Sequence, residues 1–155
     1  MSEGEVVQIG DPQQLFERPR HTFVGHFIGS PGMNVLPGDV IAGAAYFDGI
    51  MVETNNAGLY RGKGDSRLEI GVRPEFVSFA DESADGGIPV RILKVADAGR
   101  YRIVDTVHVD SAHEGATIKL LVGEDAEVPA APAFLRFDRS HTPRYSRRRL
   151  VEPAL

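Results

Sequence analysis

Gly29-Ser30-Pro31-Gly32-Met33-Asn34 is the point at which the chain changes character. Just before it, a helical stretch opens near Thr22 and carries Phe23, Val24, Phe27 and Ile28, an i, i+1, i+4, i+5 pattern that forms one apolar stripe. Glycine, serine and proline together then stop the helix. From Met33 onward apolar residues come in short runs. Strands are expected at Asn34 to Leu36, Val40 to Phe47, Ile50 to Glu53, Gly58 to Arg61, Leu68 to Val72, Ile88 to Val95, Tyr101 to Val109, Thr117 to Val122 and Ala133 to Phe137. Between them, Pro37-Gly38-Asp39, Asn55-Asn56, Gly62-Lys63-Gly64-Asp65 and Asp85-Gly86-Gly87 recur at the spacing of hairpins in a small barrel or sandwich. The expected fold is mainly β.

Upstream of the stripe, Glu5 to Ile9 reads as a short β-type run. Asp11-Pro12-Gln13-Gln14 then starts a first helix: Asp11 suits the N-cap, Pro12 the first helical position, and Gln14 the capping-box position. Pro19 disfavours helical geometry at Arg18, so that helix is brief. Downstream, Ile103, Asp105, Val107 and Val109 alternate with Val104, Thr106 and His108, and one largely apolar face is expected to meet the core. No repeat of fixed period is present. Low-complexity character is confined to Glu127 to Pro132, expected to be a loop, and to the arginine-rich end.

The 155 residues, 42% of them hydrophobic, suffice for one ordinary core. No run of about 18 apolar residues is present to span a bilayer, and the first residues, Met-Ser-Glu-Gly-Glu, are acidic where a signal peptide would be basic. A soluble, cytoplasmic chain without direct membrane insertion is expected. The absence of cysteine removes disulfides, thiol catalysis and cysteine-ligated zinc. The net charge of -5 is uneven: residues 136–149 hold six arginines against Asp138, a charge of +5 that leaves -10 on the remainder. So acidic a body weighs against a nucleic-acid partner. The basic end, residues 139–155, is read as a flexible tail, with contact to a partner or to anionic lipid as the other reading.

Three blocks then carry a resemblance. They are Gly4-Glu5-Val6-Val7-Gln8-Ile9-Gly10-Asp11-Pro12, Leu15-Phe16-Glu17-Arg18-Pro19, and Phe23-Val24-Gly25-His26-Phe27-Ile28-Gly29-Ser30-Pro31-Gly32-Met33-Asn34. Together they resemble the end of the nucleotide-binding domain of importer ATPases of the maltose and glycerol-3-phosphate class, where it leads into a regulatory domain. A further block, Leu68-Glu69-Ile70-Gly71-Val72-Arg73-Pro74-Glu75, is similar to the G-(I/V)-R-P-E signature of that regulatory domain, often called the TOBE domain. The chain departs from the pattern at Gly25, where many members have alanine, and only Arg136-Phe137-Asp138 echoes the late H-x-F-D element. The resemblance implies a remnant of the nucleotide-binding domain over residues 1–32. An OB-like β-barrel of TOBE type would follow over 33–138, preceded by a short strand and one or two short helices.

Nucleotide hydrolysis needs a glycine-rich phosphate cradle with lysine and serine or threonine, together with carboxylates for magnesium and water. The sequence contains no G-x-x-x-x-G-K-(S/T), no L-S-G-G-Q and no corresponding carboxylates, and Gly62-Lys63-Gly64-Asp65-Ser66 has the spacing of a hairpin turn. No catalytic role, cofactor or metal is therefore expected. The histidines His21, His26, His108, His113 and His141 lack ligand spacing, and Asp105, Asp110 and Glu114 near His108 lack a fixed nucleophile or second acid.

Gly71, Arg73, Pro74 and Glu75 are the candidate dimer or regulatory surface, since in the family this module pairs with its twin across a two-fold axis. Otherwise Arg73 and Glu75 would merely brace their own domain by a local hydrogen bond. Phe16, Phe23, Val24, Phe27 and Ile28 are the candidate stripe for docking a domain, because the ATPase domain they would pack against is not in this sequence. The resemblance implies a regulatory and dimerisation module of a sugar or polyol importer, partnered by nucleotide-binding and membrane subunits at the inner membrane. The alternative is an independent barrel that binds a small oxyanion through backbone amides and cations.

Overall fold

The computed structural model describes residues 4, 6, 8–41, 44–52, 68–81, 86–109, 115–146 and 149–150. The expected strand Gly58 to Arg61, the turns at Asn55-Asn56 and Gly62-Lys63-Gly64-Asp65, and His113, Asp110 and Glu114 lie outside these residues, as do Glu5 and Val7 of the first β-type run.

Two short helices open the described chain. Helix α1 spans Pro12–Glu17, and the Asp11 carboxylate caps it by accepting from the Gln14 N–H at 2.9 Å. Helix α2 spans Thr22–Phe27 and is capped by His21, whose Nδ1 accepts from the Phe23 N–H at 3.1 Å. At six residues each, neither has the length to persist in water without tertiary support.

The rest is strand, so the fold is mainly β. β1 (Asn34–Pro37), β5 (Leu68–Val72), β11 (Arg144–Ser146) and β12 (Arg149–Leu150) form one antiparallel sheet in the order β1-β5-β11-β12. β2 (Asp39–Ile41), β3 (Ala44–Phe47) and β4 (Ile50–Met51) form a small three-stranded sheet. β6 (Val77–Ala80), β7 (Ile88–Asp97), β8 (Tyr101–His108), β9 (Thr117–Gly123) and β10 (Ala133–Phe137) form the largest, ordered β6-β10-β7-β8-β9. Its edge strands β6 and β9 lie against each other, yet no ladder joins them, so hydrogen bonding does not close a barrel among the described residues. The single strand expected over Val40 to Phe47 is a hairpin instead, with Ile41 opposite Ala44. Asp48-Gly49 makes the next turn with φ of 53° and 76°, the left-handed pair that a two-residue hairpin requires.

All three sheets contribute to one core. Leu36, Phe47, Ile70, Ile88, Val104, Leu120 and Leu135 are among its members. Each such side chain contributes about 1.5–3 kcal/mol through burial. β8 turns its expected faces around: Val104, Thr106 and His108 point inward, while Ile103, Asp105 and Val107 are only half-buried. The polar members of the inner face are satisfied internally. The Thr106 hydroxyl donates to the Ile118 carbonyl at 2.7 Å, and His108 lies 2.8 Å from the Pro89 carbonyl and 2.6 Å from the Asp48 carboxylate.

Residues 139–155 were expected to be a flexible basic tail, and the described part is otherwise. Arg144 and Tyr145 are fully buried in β11, which pairs with β5, and β12 lies beyond it. Arg144 is drawn out of solvent because Tyr145 beside it supplies an apolar anchor and the open edge of β5 supplies backbone partners, while Arg139 and Arg149 stay exposed.

Candidate functional site

The sequence-predicted segment Gly71 to Glu75 is an internal node more than a surface. β5 runs straight into it, and Pro74–Phe76 forms a single 3-10 turn closed by the Phe76 N–H donating to the Arg73 carbonyl at 2.9 Å. Proline suits that first position because no N–H is needed there. Gly71 and Pro74 are buried and Arg73 is only 5% exposed, so of the four candidate surface residues Glu75 alone faces solvent. That corrects the expectation of a four-residue docking surface.

Arg73 turns inward because its fork has carbonyl partners there. Nε and Nη2 donate to the Phe16 carbonyl at 2.9 and 2.5 Å, and Nη1 donates to the Ile28 carbonyl at 2.9 Å. The guanidinium also sits 3.8 Å from the centre of the Phe16 ring, a cation–π contact. Burial pushes its pKa down, against the opposing effects of Glu75 and Tyr145, yet an arginine keeps its charge throughout the accessible range.

Behind Arg73 lies a second group that sequence reasoning did not select. The Tyr145 hydroxyl donates to the Pro19 carbonyl at 2.9 Å and lies 3.8 Å from the Met33 sulfur. Gly71 makes room for this ring: a Cβ there would lie 2.7 Å from Tyr145 Cε2 and 2.8 Å from Met33 Sδ. Gly25 faces the same methionine, and a Cβ there would meet Met33 Cε at 2.4 Å. The chain's departure from alanine at that position thus accompanies a methionine terminus pressed onto α2. Further along, the Leu150 N–H donates to the Arg20 carbonyl at 2.7 Å and Arg149 bridges to His21. The helices and the strand sheet are therefore joined at Arg73, Tyr145 and Leu150.

The expected apolar stripe divides. Val24 is buried, Phe23 and Ile28 are half-buried, and Phe16 is 37% exposed with its ring on Arg73. Phe27 is 73% exposed and stacks on Phe23 at 5.7 Å between ring centres. Ile9 and Val6 are also exposed. Part of the stripe is thus used inside the chain, because α2 turns Thr22, Val24 and Gly25 toward the β1 side, leaving Phe27 outward.

The remaining polar groups show structural roles. Ser140, His141 and Asp138 lie together, but Ser140 Oγ and Asp138 Oδ2 both meet His141 Nδ1, at 2.9 and 3.0 Å, while Ser140 donates to Asp138 Oδ1 at 2.6 Å. This is a turn cap in which the serine proton is held by the neighbouring Asp138 carboxylate and not by the His141 imidazole. Asp105 pairs with Lys119 at 2.9 Å on the surface. Among the described residues no group of three or more histidines and carboxylates could hold a metal ion, and no helix is long and apolar enough to cross a membrane.

No family model matches the chain. The order of two short helices, the Gly32-Met33-Asn34 turn and a β module built around Gly71-Val72-Arg73-Pro74-Glu75, taken with its sequence relatives, makes it a homologue of the C-terminal portion of ATP-binding subunits of carbohydrate-type ABC importers. The particular relatives are sn-glycerol-3-phosphate import ATP-binding proteins, UgpC. That of Salmonella typhi is 37% identical over 137 residues, which cover 80% of this chain and 38% of that protein. Those of Shigella sonnei and Escherichia coli K12 are 33% and 32% identical over 138 and 139 residues, which cover 81% of this chain and 38% of those proteins. The chain thus spans less than two fifths of the length of these relatives.

Proposed function

We propose that this chain is a non-catalytic regulatory and dimerisation module of the ATP-binding subunit of an importer for a sugar or polyol, of the glycerol-3-phosphate kind. The observation that carries the reading is the similarity to UgpC along 80% of the chain. The exposed Phe27, at the outer side of α2, supports a docked nucleotide-binding domain as the partner of this end, as do Ile9 and Val6. In this reading two copies pair through their β modules, with Glu75 near the contact, and the assembly sits on the cytoplasmic side of the inner membrane against the membrane subunits.

Light scattering over a concentration series tests the pairing. A mass rising to twice 16.9 kDa is expected, and a mass constant at 16.9 kDa contradicts it. The reading also expects no oxyanion ligand. A thermal-shift series with molybdate, tungstate and sulfate checks this, since a ligand at 100 times its Kd adds about 2.7 kcal/mol of stability. A saturable shift with any of them would replace the importer module with an oxyanion-binding barrel.

A further inference from the structure

One guanidinium reaches the C-terminal ends of both helices. Phe16 lies in the last turn of α1, Ile28 is the residue that ends α2, and Arg73 donates to the carbonyls of both. Carbonyls at a helix C-terminus have no partner within the helix and form the negative end of its dipole, so a buried cation satisfies them twice over. Gly29 makes the approach possible: at φ 125° it takes a backbone conformation that L side chains rarely adopt, and a Cβ there would lie 3.0 Å from Arg73 Nη1.

We propose that Arg73 is a coupling residue which, with Tyr145 as the opposite jaw, locks α1 and α2 to β5 so that helices and four-stranded sheet move as one body. The glycine-rich turn between α2 and β1 is then not a hinge, despite its composition. Its packing agrees: the Met33 N–H donates to the Gly25 carbonyl at 3.0 Å, and a Cβ at Gly32 would fall 2.0 Å from the His26 carbonyl oxygen. From Arg73 the connection continues through Phe76, whose ring stacks on His141 at 3.9 Å and whose carbonyl accepts from the Asp138 N–H at 2.9 Å. The clasp itself does not depend on the importer reading. Within that reading it has a consequence: a displacement arriving at the helices is handed to the β module instead of being absorbed at residues 29–32.

Amide hydrogen exchange on the whole chain tests the clasp. In Arg73→Gln the Arg18, Gly25 and Ile28 amides, which are hydrogen-bonded in the native chain, should exchange about tenfold or more faster, while those of β8 and β9 keep their rates. Arg73→Lys keeps the charge without the fork and should restore protection only in part. Should Arg73→Gln fail to fold, Gly29→Ala and Tyr145→Phe carry the same test, each loosening one side of the clasp. Acceleration spread evenly over helices, β8 and β9, or confined to one helix, or absent, overturns the proposal. The proposed function fails separately, on the oligomer mass and the oxyanion screen.

Discussion

The side-chain amide of Asn34 pairs with the backbone of Lys119 as a strand would: Asn34 Nδ2 donates to the Lys119 carbonyl and the Lys119 N–H donates to Asn34 Oδ1, both at 2.8 Å. Lys119 lies in β9, the edge strand of the five-stranded sheet, so one side chain from β1 closes part of an otherwise open edge. Asn34→Ala removes both bonds at once and leaves two backbone groups in need of water. It should cost about 1–3 kcal/mol in urea unfolding. Asn34→Asp keeps the acceptor but sets a carboxylate against the Lys119 carbonyl, and should be no better than alanine. Wild-type stability in Asn34→Ala would show that solvent already serves this edge.

Two glycines around Met33 should respond differently to the same change. Gly71→Ala drives a methyl into the Tyr145 ring and the Met33 sulfur, at 2.7 and 2.8 Å, and should destabilise by about 1–3 kcal/mol. At Gly25 the first atom met is the free end of Met33, which can rotate away, so Gly25→Ala should cost less than Gly71→Ala. Thermal or urea unfolding of the two variants side by side checks the order.

Tyr145 makes alkaline stability depend on its burial. Burial raises its pKa well above that of an ordinary tyrosine, with the Arg73 charge opposing. The folded state therefore holds its phenol proton when the unfolded state, near pH 10, has begun to lose it. Stability from this group is complete below pH 10 and declines as pH rises further. Tyr145→Phe should remove that part of the alkaline decline, and should cost about 1–2 kcal/mol at neutral pH because the Pro19 carbonyl loses its donor.

Asp138 works in the opposite direction at acid pH. Its carboxylate is held below the usual 3.8, chiefly by the Ser140 side-chain hydrogen bond and further by His141 and the Ser140 amide. A depressed carboxylate contributes stability above the unfolded pKa, and that contribution is lost as pH falls below 3.8 and through the folded value. NMR titration of the Ser140 amide should follow this carboxylate with a midpoint below 3.8; a midpoint at or above it would mean that the cap does not form.

Much of the β character was legible because it rests on local patterning. The runs Leu68 to Val72 and Ala133 to Phe137 hold as strands, the one expected over Tyr101 to Val109 ends a residue earlier at His108, and Asp11-Pro12 starts α1 as its cap chemistry predicts. The inward face of β8 was not legible. Thr106 and His108 look like solvent residues until the partners that satisfy them, Ile118, Pro89 and Asp48, are brought from distant parts of the chain. The same holds for β11, whose Arg144-Tyr145-Ser146 sits in an arginine-rich stretch, and only the edge of β5 makes it a strand. For the site, the sequence pointed to Arg73, but its role depended on the carbonyls of Phe16 and Ile28, and a carbonyl leaves no mark in sequence.

The most direct test of the account is transport itself. Replacing the C-terminal portion of Escherichia coli UgpC, the part similar to this chain, with residues 1–155 and measuring glycerol-3-phosphate uptake asks whether the module works on an importer ATPase. The account predicts uptake well above that of UgpC lacking the portion, and its loss again when Arg73→Gln is introduced. A chimera that accumulates at the level of UgpC, hydrolyses ATP and supports no more uptake than the truncated subunit would contradict it.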